Sequence, residues 1–157
     1  MFQGTYTNKV DSKGRVSVPA EFRAVLADEG VAKLICFPSF TDTCLEAGGP
    51  AYFEKLHSFI DQLDPYDELR DAFELSIIAD SVPLHFDKDG RITLTGAFRH
   101  ADIDDYVTFV GRGEKFQMWN PAVYEARRAE ARRLAAENRR LLQRAPLVRD
   151  CDRGGDR

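Results

Sequence analysis

The stretch Val10-Asp11-Ser12-Lys13-Gly14-Arg15-Val16-Ser17-Val18 organises this chain, because a version of it recurs as Phe86-Asp87-Lys88-Asp89-Gly90-Arg91-Ile92-Thr93-Leu94. Between residues 10–23 and 86–99 the Asp, the Gly, the first Arg, the Phe and the last Arg are identical. That is five of fourteen positions, where about one is expected by chance, so the chain carries an internal repeat. Val16/Ile92, Ser17/Thr93 and Val18/Leu94 are near-equivalents. Asp-x-x-Gly-Arg predicts a turn, since an Asp side chain bonds the backbone that follows it and Gly accepts positive φ. Asp11, Gly14, Asp87 and Gly90 are therefore expected to be structural turn residues.

The same correspondence extends outward. Tyr6, Asn8 and Val10 alternate with Thr5, Thr7 and Lys9, and Val82, Leu84 and Phe86 alternate with Ser81, Pro83 and His85. Period two predicts half-buried strands. Val16 and Val18 bring the chain back with one apolar face, leaving Arg15 and Ser17 on the other. A short helix follows over 19–26, with Phe22, Val25 and Leu26 on one side. Two strands near 33–37 and 43–46 are matched by 106–111 and 115–119, the latter joined by a tight turn at Arg112-Gly113-Glu114. Gly49-Pro50-Ala51 and Asn120-Pro121-Ala122 each open a helix, with a cap residue and then Pro at the first helical position.

The copies are expected to span 1–63 and 77–143, the second including the C-terminal helix. Residues 64–79 read as a linker helix, with Leu69, Ala72, Phe73 and Ile77 at helical spacing. Residues 144–157, with Pro146 and Gly154-Gly155, read as a flexible tail. A copy this small has a thin core. Two copies in one chain can interleave their hairpins into one common barrel, which removes exposed strand edges. The expected fold class is α+β: a pseudo-symmetric β-barrel of two tandem β-β-α-β-β-α repeats with a long C-terminal helix.

Composition restricts function. The chain has 157 residues, 43% apolar and 31% charged, which is globular composition. Its net charge of -4 argues on its face against nucleic acid. The charge is uneven, however: residues 1–120 sum to -8 and residues 121–157 to +4, and the segment 5–18 sums to +2 inside the acidic part. No stretch approaches the roughly 18 apolar residues of a membrane span, and no secretory leader is visible, so a cytoplasmic protein with no membrane partner is expected. Cys36, Cys44 and Cys151 have no partner spacing for a metal and are expected to be reduced thiols, the first two in the core. His57, His85 and His100 stand singly. Nucleophile-elbow, phosphate-loop and zinc-protease motifs are absent, and runs such as Asp102-Ile103-Asp104-Asp105 read as turns. The expectation is a non-enzyme with no cofactor and no small-molecule substrate.

Four marks give the sequence a resemblance: Met1-Phe2-x-Gly4, Asp11-x-x-x-Arg15 continued by Val16-Ser17-Val18-Pro19, the second Asp87-x-x-x-Arg91, and Phe116-x-x-Trp119. On these, over about 1–143, it resembles the MraZ family, whose domains belong to the AbrB-like swapped-hairpin barrels. The resemblance implies a sequence-specific regulator of transcription, acting on the bacterial division and cell-wall gene cluster. It also implies a ring-shaped homo-oligomer on the nucleoid that binds short repeated promoter boxes in double-stranded DNA. An AbrB-like protein-interaction or antitoxin-type module is the alternative.

Phosphate contacts need exposed Lys, Arg or backbone N–H groups. The first hairpin offers Thr5, Thr7, Lys9, Lys13 and Arg15 as the main DNA face. The second offers Lys88 and Arg91 but sums to zero, Asp89 standing where the first has Lys13. An ion pair of Asp11 with Arg15 across the turn is the plain structural role for both residues. Arg23 and Arg99 are expected to be solvated or interdomain pairing groups. The competing site is the C-terminal helix, where seven Arg against three Glu give +4 over residues 121–144. Each Glu there has an Arg three residues on, which predicts ion pairs that use part of the charge.

Overall fold

The protein is described here by a computed structural model covering residues 1–30, 32–94 and 96–144. Its first strand, β1 (Thr5–Lys9), leads through the first Asp-x-x-Gly-Arg turn into β2 (Arg15–Ser17). Then come α1 (Ala20–Asp28), β3 (Lys33–Pro38), β4 (Leu45–Gly48) and α2 (Pro50–Asp61). After α3 (Glu68–Phe73), the order β-turn-β recurs as β5 (Val82–His85) and β6 (Arg91–Thr93). A 3₁₀ segment (Gly96–Ala101), β7 (Tyr106–Gly111), β8 (Phe116–Trp119), α4 (Pro121–Glu137) and α5 (Arg140–Arg144) complete the described chain. The fold is mixed α and β, with antiparallel pairing between its strands. No described helix is long and apolar enough to cross a membrane.

Six strands form one sheet in the order β1-β7-β8-β4-β3-β5, and β2 pairs with β6 in a separate two-stranded ribbon. Each pairing has its counterpart in the other half of the sequence. β1 lies on β7 and β5 on β3, so the first strand of either copy adds to a sheet strand of the other. The centre is formed by β4 with β8, and the ribbon by β2 with β6. β1 and β2 are not a ladder-paired hairpin, contrary to expectation. They are joined by the turn bond from Asp11 N–H to the Arg15 carbonyl and by Asn8 Nδ2 donating to the Ser17 carbonyl at 2.8 Å. The two-stranded ribbon is instead made by one strand from each copy.

Residues Met1–Tyr124 are one compact unit. Alternation along β1 sets Tyr6 and Asn8 half-buried between exposed Thr5, Thr7 and Lys9. Val16, Val18 and Ile92 from the ribbon strands and their flanks are fully buried, beside Phe22 and Leu26 of α1. Phe2, Phe22 and Phe116 pack with ring centroids 5.1–5.4 Å apart, which gives Phe2 and Phe116 of the sequence marks a core role. Trp119 and Tyr124 pack at 5.7 Å in a smaller cluster with Cys44 and Val110. Cys36 and Cys44 are free, buried thiols, and burial pushes the pKa of each to about 12.

Several boundaries depart from expectation for local reasons. The segment expected to be helical from residue 64 begins with a turn, because Asp64 Oδ1 accepts the Tyr66 N–H and Asp67 then caps Leu69 N–H. Beyond Phe73 it widens to a π-helix over Glu74–Ala79, and Leu69 is exposed rather than buried. The second copy's short helix is 3₁₀ rather than α. β4 begins later than the predicted 43–46 because the preceding Ser39–Cys44 segment closes a turn, with Ser39 N–H donating to the Cys44 carbonyl. The tail expected over 144–157 lies, beyond Arg144, outside the described residues.

The second unit begins at Glu125. The charged helix is interrupted at Asn138, whose Nδ2 donates to the Leu134 carbonyl, so α4 and α5 are distinct. Arg133 is bound by both Glu130 and Glu137, and Arg128 approaches Glu125 at 3.7 Å. Glu137 thus pairs four residues back rather than with Arg140. Leu134, Leu141 and Leu142 are exposed.

Candidate nucleic-acid interface

The two turns share their main-chain hydrogen bonds and their Asp–Arg Nε bond. In the first, Asp11 Oδ1 accepts the backbone N–H of Lys13 at 2.9 Å and of Arg15 at 2.8 Å, while Oδ2 accepts Arg15 Nε at 2.8 Å. In the second, Asp87 Oδ1 accepts the N–H of Asp89 at 2.8 Å and of Arg91 at 3.0 Å, while Oδ2 accepts Arg91 Nε at 3.0 Å. Gly14 and Gly90 adopt φ of 76° and 74°, the left-handed region that makes each a glycine. The Arg15 N–H is the largest cause that holds the Asp11 carboxyl below the usual carboxylate range, and the Arg91 N–H does the same for Asp87. Asp11, Gly14, Asp87 and Gly90 are thus brought together as turn residues.

The ribbon fixes where the arginines lie. Arg15 pairs with Thr93, Val16 with Ile92 and Ser17 with Arg91. Because Val16 and Ile92 face the core, the opposite face presents Arg15, Ser17, Arg91 and Thr93, with the two arginines on a diagonal. Asp11 Oδ2 stands between them, 2.8 Å from Arg15 Nε and 3.8 Å from Arg91 Nη1. The arginines differ in their remaining partners. Arg91 Nη2 is also 3.0 Å from Asp89 Oδ2, so three carboxylates surround it. Arg15 has one, and among the described residues its two η nitrogens have no hydrogen-bond or ion-pair partner.

Lys9, Lys13 and Lys88 are exposed and have no ion pair among the described residues. Thr5 is exposed at the end of β1, an edge strand. Thr7 is partly committed, its hydroxyl lying 2.9 Å from that of Thr108 across the sheet. Ser17 and Thr93 are polar members of the ribbon face that sequence reasoning did not select. The alternation around Val16 and Ile92 was their only signal. Arg23 is structural: its Nε donates to the Val18 carbonyl at 3.1 Å and its guanidinium packs on Gly90. No group of metal-ligating side chains occurs among the described residues.

The ribbon's polar face, with one strand from each sequence copy, is a β-ribbon surface that carries an arginine from each copy. The family model described as "MraZ protein, putative antitoxin-like" matches residues 1–72 and again 77–145. The chain is 46% identical over 144 residues to the transcriptional regulator MraZ of Pelagibacter ubique, covering 91% of this chain and 93% of the relative. It is 42% identical over 158 residues to that of Parvibaculum lavamentivorans, covering 99% and 98%. With the Rickettsia bellii protein of the same name it shares 46% over 137 residues, covering 87% and 91%. The chain belongs to the MraZ family.

Proposed function

We propose that this chain is a sequence-specific DNA-binding regulator of transcription that reads promoter DNA chiefly through the Arg15 side of the β2–β6 ribbon face and the first turn beside it. The observation that carries this is Arg15: its Nε is fixed by the turn, its η nitrogens have no partner among the described residues, and the same β-turn-β segment carries Lys9 and Lys13, exposed and without an ion pair among those residues. Arg in that state can form the bidentate pair that guanine or a phosphate accepts, and a two-stranded ribbon fits the major groove. Lys9 and Lys13 supply phosphate contacts, and Thr5 and Thr7 add hydroxyls at the β1 edge; in the second turn Lys88 is exposed, whereas Arg91 is ringed by three carboxylates and is chiefly structural. Support for the class comes from relatives named as transcriptional regulators.

The strand exchange between copies supports assignment to the AbrB-like swapped-hairpin barrels, with repeats at 1–63 and 77–143 around a linker over 64–79. The remainder of the proposal is what the family resemblance implies: a homo-oligomeric ring in the cytoplasm, on the nucleoid, acting on repeated boxes before the division and cell-wall gene cluster. Charge arithmetic agrees with assembly. About three cations per subunit give a salt slope of only about -3, and repetition around a ring multiplies such contacts. The family description's antitoxin wording favours one second reading, capture of a protein partner by the same barrel. Titrating the full chain into a labelled fragment from upstream of the division genes, against a shuffled fragment, separates the two. Selective binding of the native fragment supports the regulator; equal or absent binding contradicts it.

A further inference from the structure

We infer that Asp89 is a specificity-setting residue that keeps the second turn off DNA by occupying the guanidinium of Arg91; this rests on the DNA-binding reading above. The two turns share their main-chain bonds and their Asp–Arg Nε pair, so the difference lies in one side chain. At the third place of the first turn stands Lys13, exposed and unpaired, and at the same place of the second stands Asp89. Asp89 Oδ2 takes Arg91 Nη2 at 3.0 Å while Asp87 takes Nε at 3.0 Å. One whole edge of the guanidinium is thereby filled, in the geometry a phosphate would use. The remaining Nη1 faces Asp11 at 3.8 Å.

The exposed Asp89–Arg91 pair is weak by itself, and solvent competes with it. Its effect on DNA is larger than its strength. A phosphate reaching Arg91 must displace the carboxylate and then lies beside that negative charge. At Arg15 no described residue has to be displaced from the η nitrogens. The chain thus carries two matched turns of which one is engaged, and binding polarity along the ribbon follows from a single acidic residue.

The test is a double-mutant cycle on the full chain, using the upstream fragment and fluorescence anisotropy over a salt series. Asp89→Ala should tighten binding about fivefold and steepen the salt slope by about one phosphate contact. Arg91→Ala alone should change affinity less than twofold, and Asp89→Ala/Arg91→Ala should match Arg91→Ala. Three results overturn the inference: no gain in Asp89→Ala, a gain that survives in the double variant and so reports net charge only, or a loss in Arg91→Ala as large as in Arg15→Ala. Failure of the unmodified chain to prefer the upstream fragment would instead sink the DNA-binding reading. Thermal melting of each variant checks that the fold is retained.

Discussion

Val16 faces Ile92 directly across the ribbon, so a residue and its own counterpart in the second copy are register partners. Both are 1% exposed and lie in the main core. The ribbon is therefore held by burial at its centre. Ile92→Ala should destabilise the protein by about 2–5 kcal/mol, as buried large-to-small changes do. Urea unfolding followed by Trp119 fluorescence measures it, and a loss below 1 kcal/mol would contradict a packed ribbon centre.

The two turn glycines should differ. A Cβ on Gly14 meets nothing closer than the Leu94 carbonyl at 3.7 Å, whereas on Gly90 it collides with Arg23 Nη1 and falls 2.7 Å from Arg23 Cδ. Gly14→Ala therefore costs only the left-handed backbone term, about 1 kcal/mol. Gly90→Ala also pushes Arg23 off the Val18 carbonyl, for about 1 kcal/mol more. In an Arg23→Ala background the two substitutions should cost the same, which denaturant titration of the three single and two double variants checks.

Acid should loosen both turns. Asp11 and Asp87 have folded pKa values lowered from 3.8, so their contribution is present above the unfolded value and is lost as pH falls through the lowered folded value. Carboxyl-carbon NMR titration should place both midpoints below those of ordinary aspartates. The stability advantage of the native chain over Asp11→Asn should shrink below about pH 4. A midpoint at or above the usual range for Asp11 would contradict the turn geometry.

Gln117 is 1% exposed and binds three groups: its Oε1 accepts from Arg112 Nη1 at 2.9 Å and Trp119 Nε1 at 3.1 Å, and its Nε2 donates to Glu46 Oε1 at 3.0 Å. The other Glu46 oxygen lies 2.9 Å from Lys115 Nζ, an ion pair that lacks hydrogen-bond alignment. Gln117→Leu keeps the volume but strands the buried Glu46 oxygen and the indole N–H. It should cost about 2–4 kcal/mol, whereas Gln117→Glu in the same scan tests like-charge repulsion with Glu46 and should cost at least as much. Thermal unfolding resolves both.

Local chemistry was legible in the sequence wherever one residue type has one use. Asp11, Gly14, Asp87 and Gly90 form the turns that their spacing predicts, and the alternation from Thr5 to Lys9 gave the exposed face of β1. What escaped was set by long-range pairing. Nothing near Arg15 says that Thr93 will lie opposite it, so the ribbon was first read within one copy. Arg23 follows an apolar Phe, and its sequence leaves a solvated and an interdomain role equally open; only the fold brings the other copy's Gly90 against its guanidinium. The Gln117–Glu46 network joins strands 71 residues apart, and no local pattern announces it. The inequality of the two arginines was visible only as a charge sum; the three carboxylates around Arg91 give it geometry.

The central claim is that Arg15 carries DNA recognition from an intact turn. The most direct measurement is anisotropy of the upstream fragment with Arg15→Ala at two salt concentrations, alongside the oligomeric state by light scattering. Binding should weaken about tenfold or more, since losing one bidentate contact costs about 1–3 kcal/mol per subunit engaged, and the salt slope should become shallower with the assembly unchanged. Unaltered affinity and slope in a correctly assembled variant would contradict it.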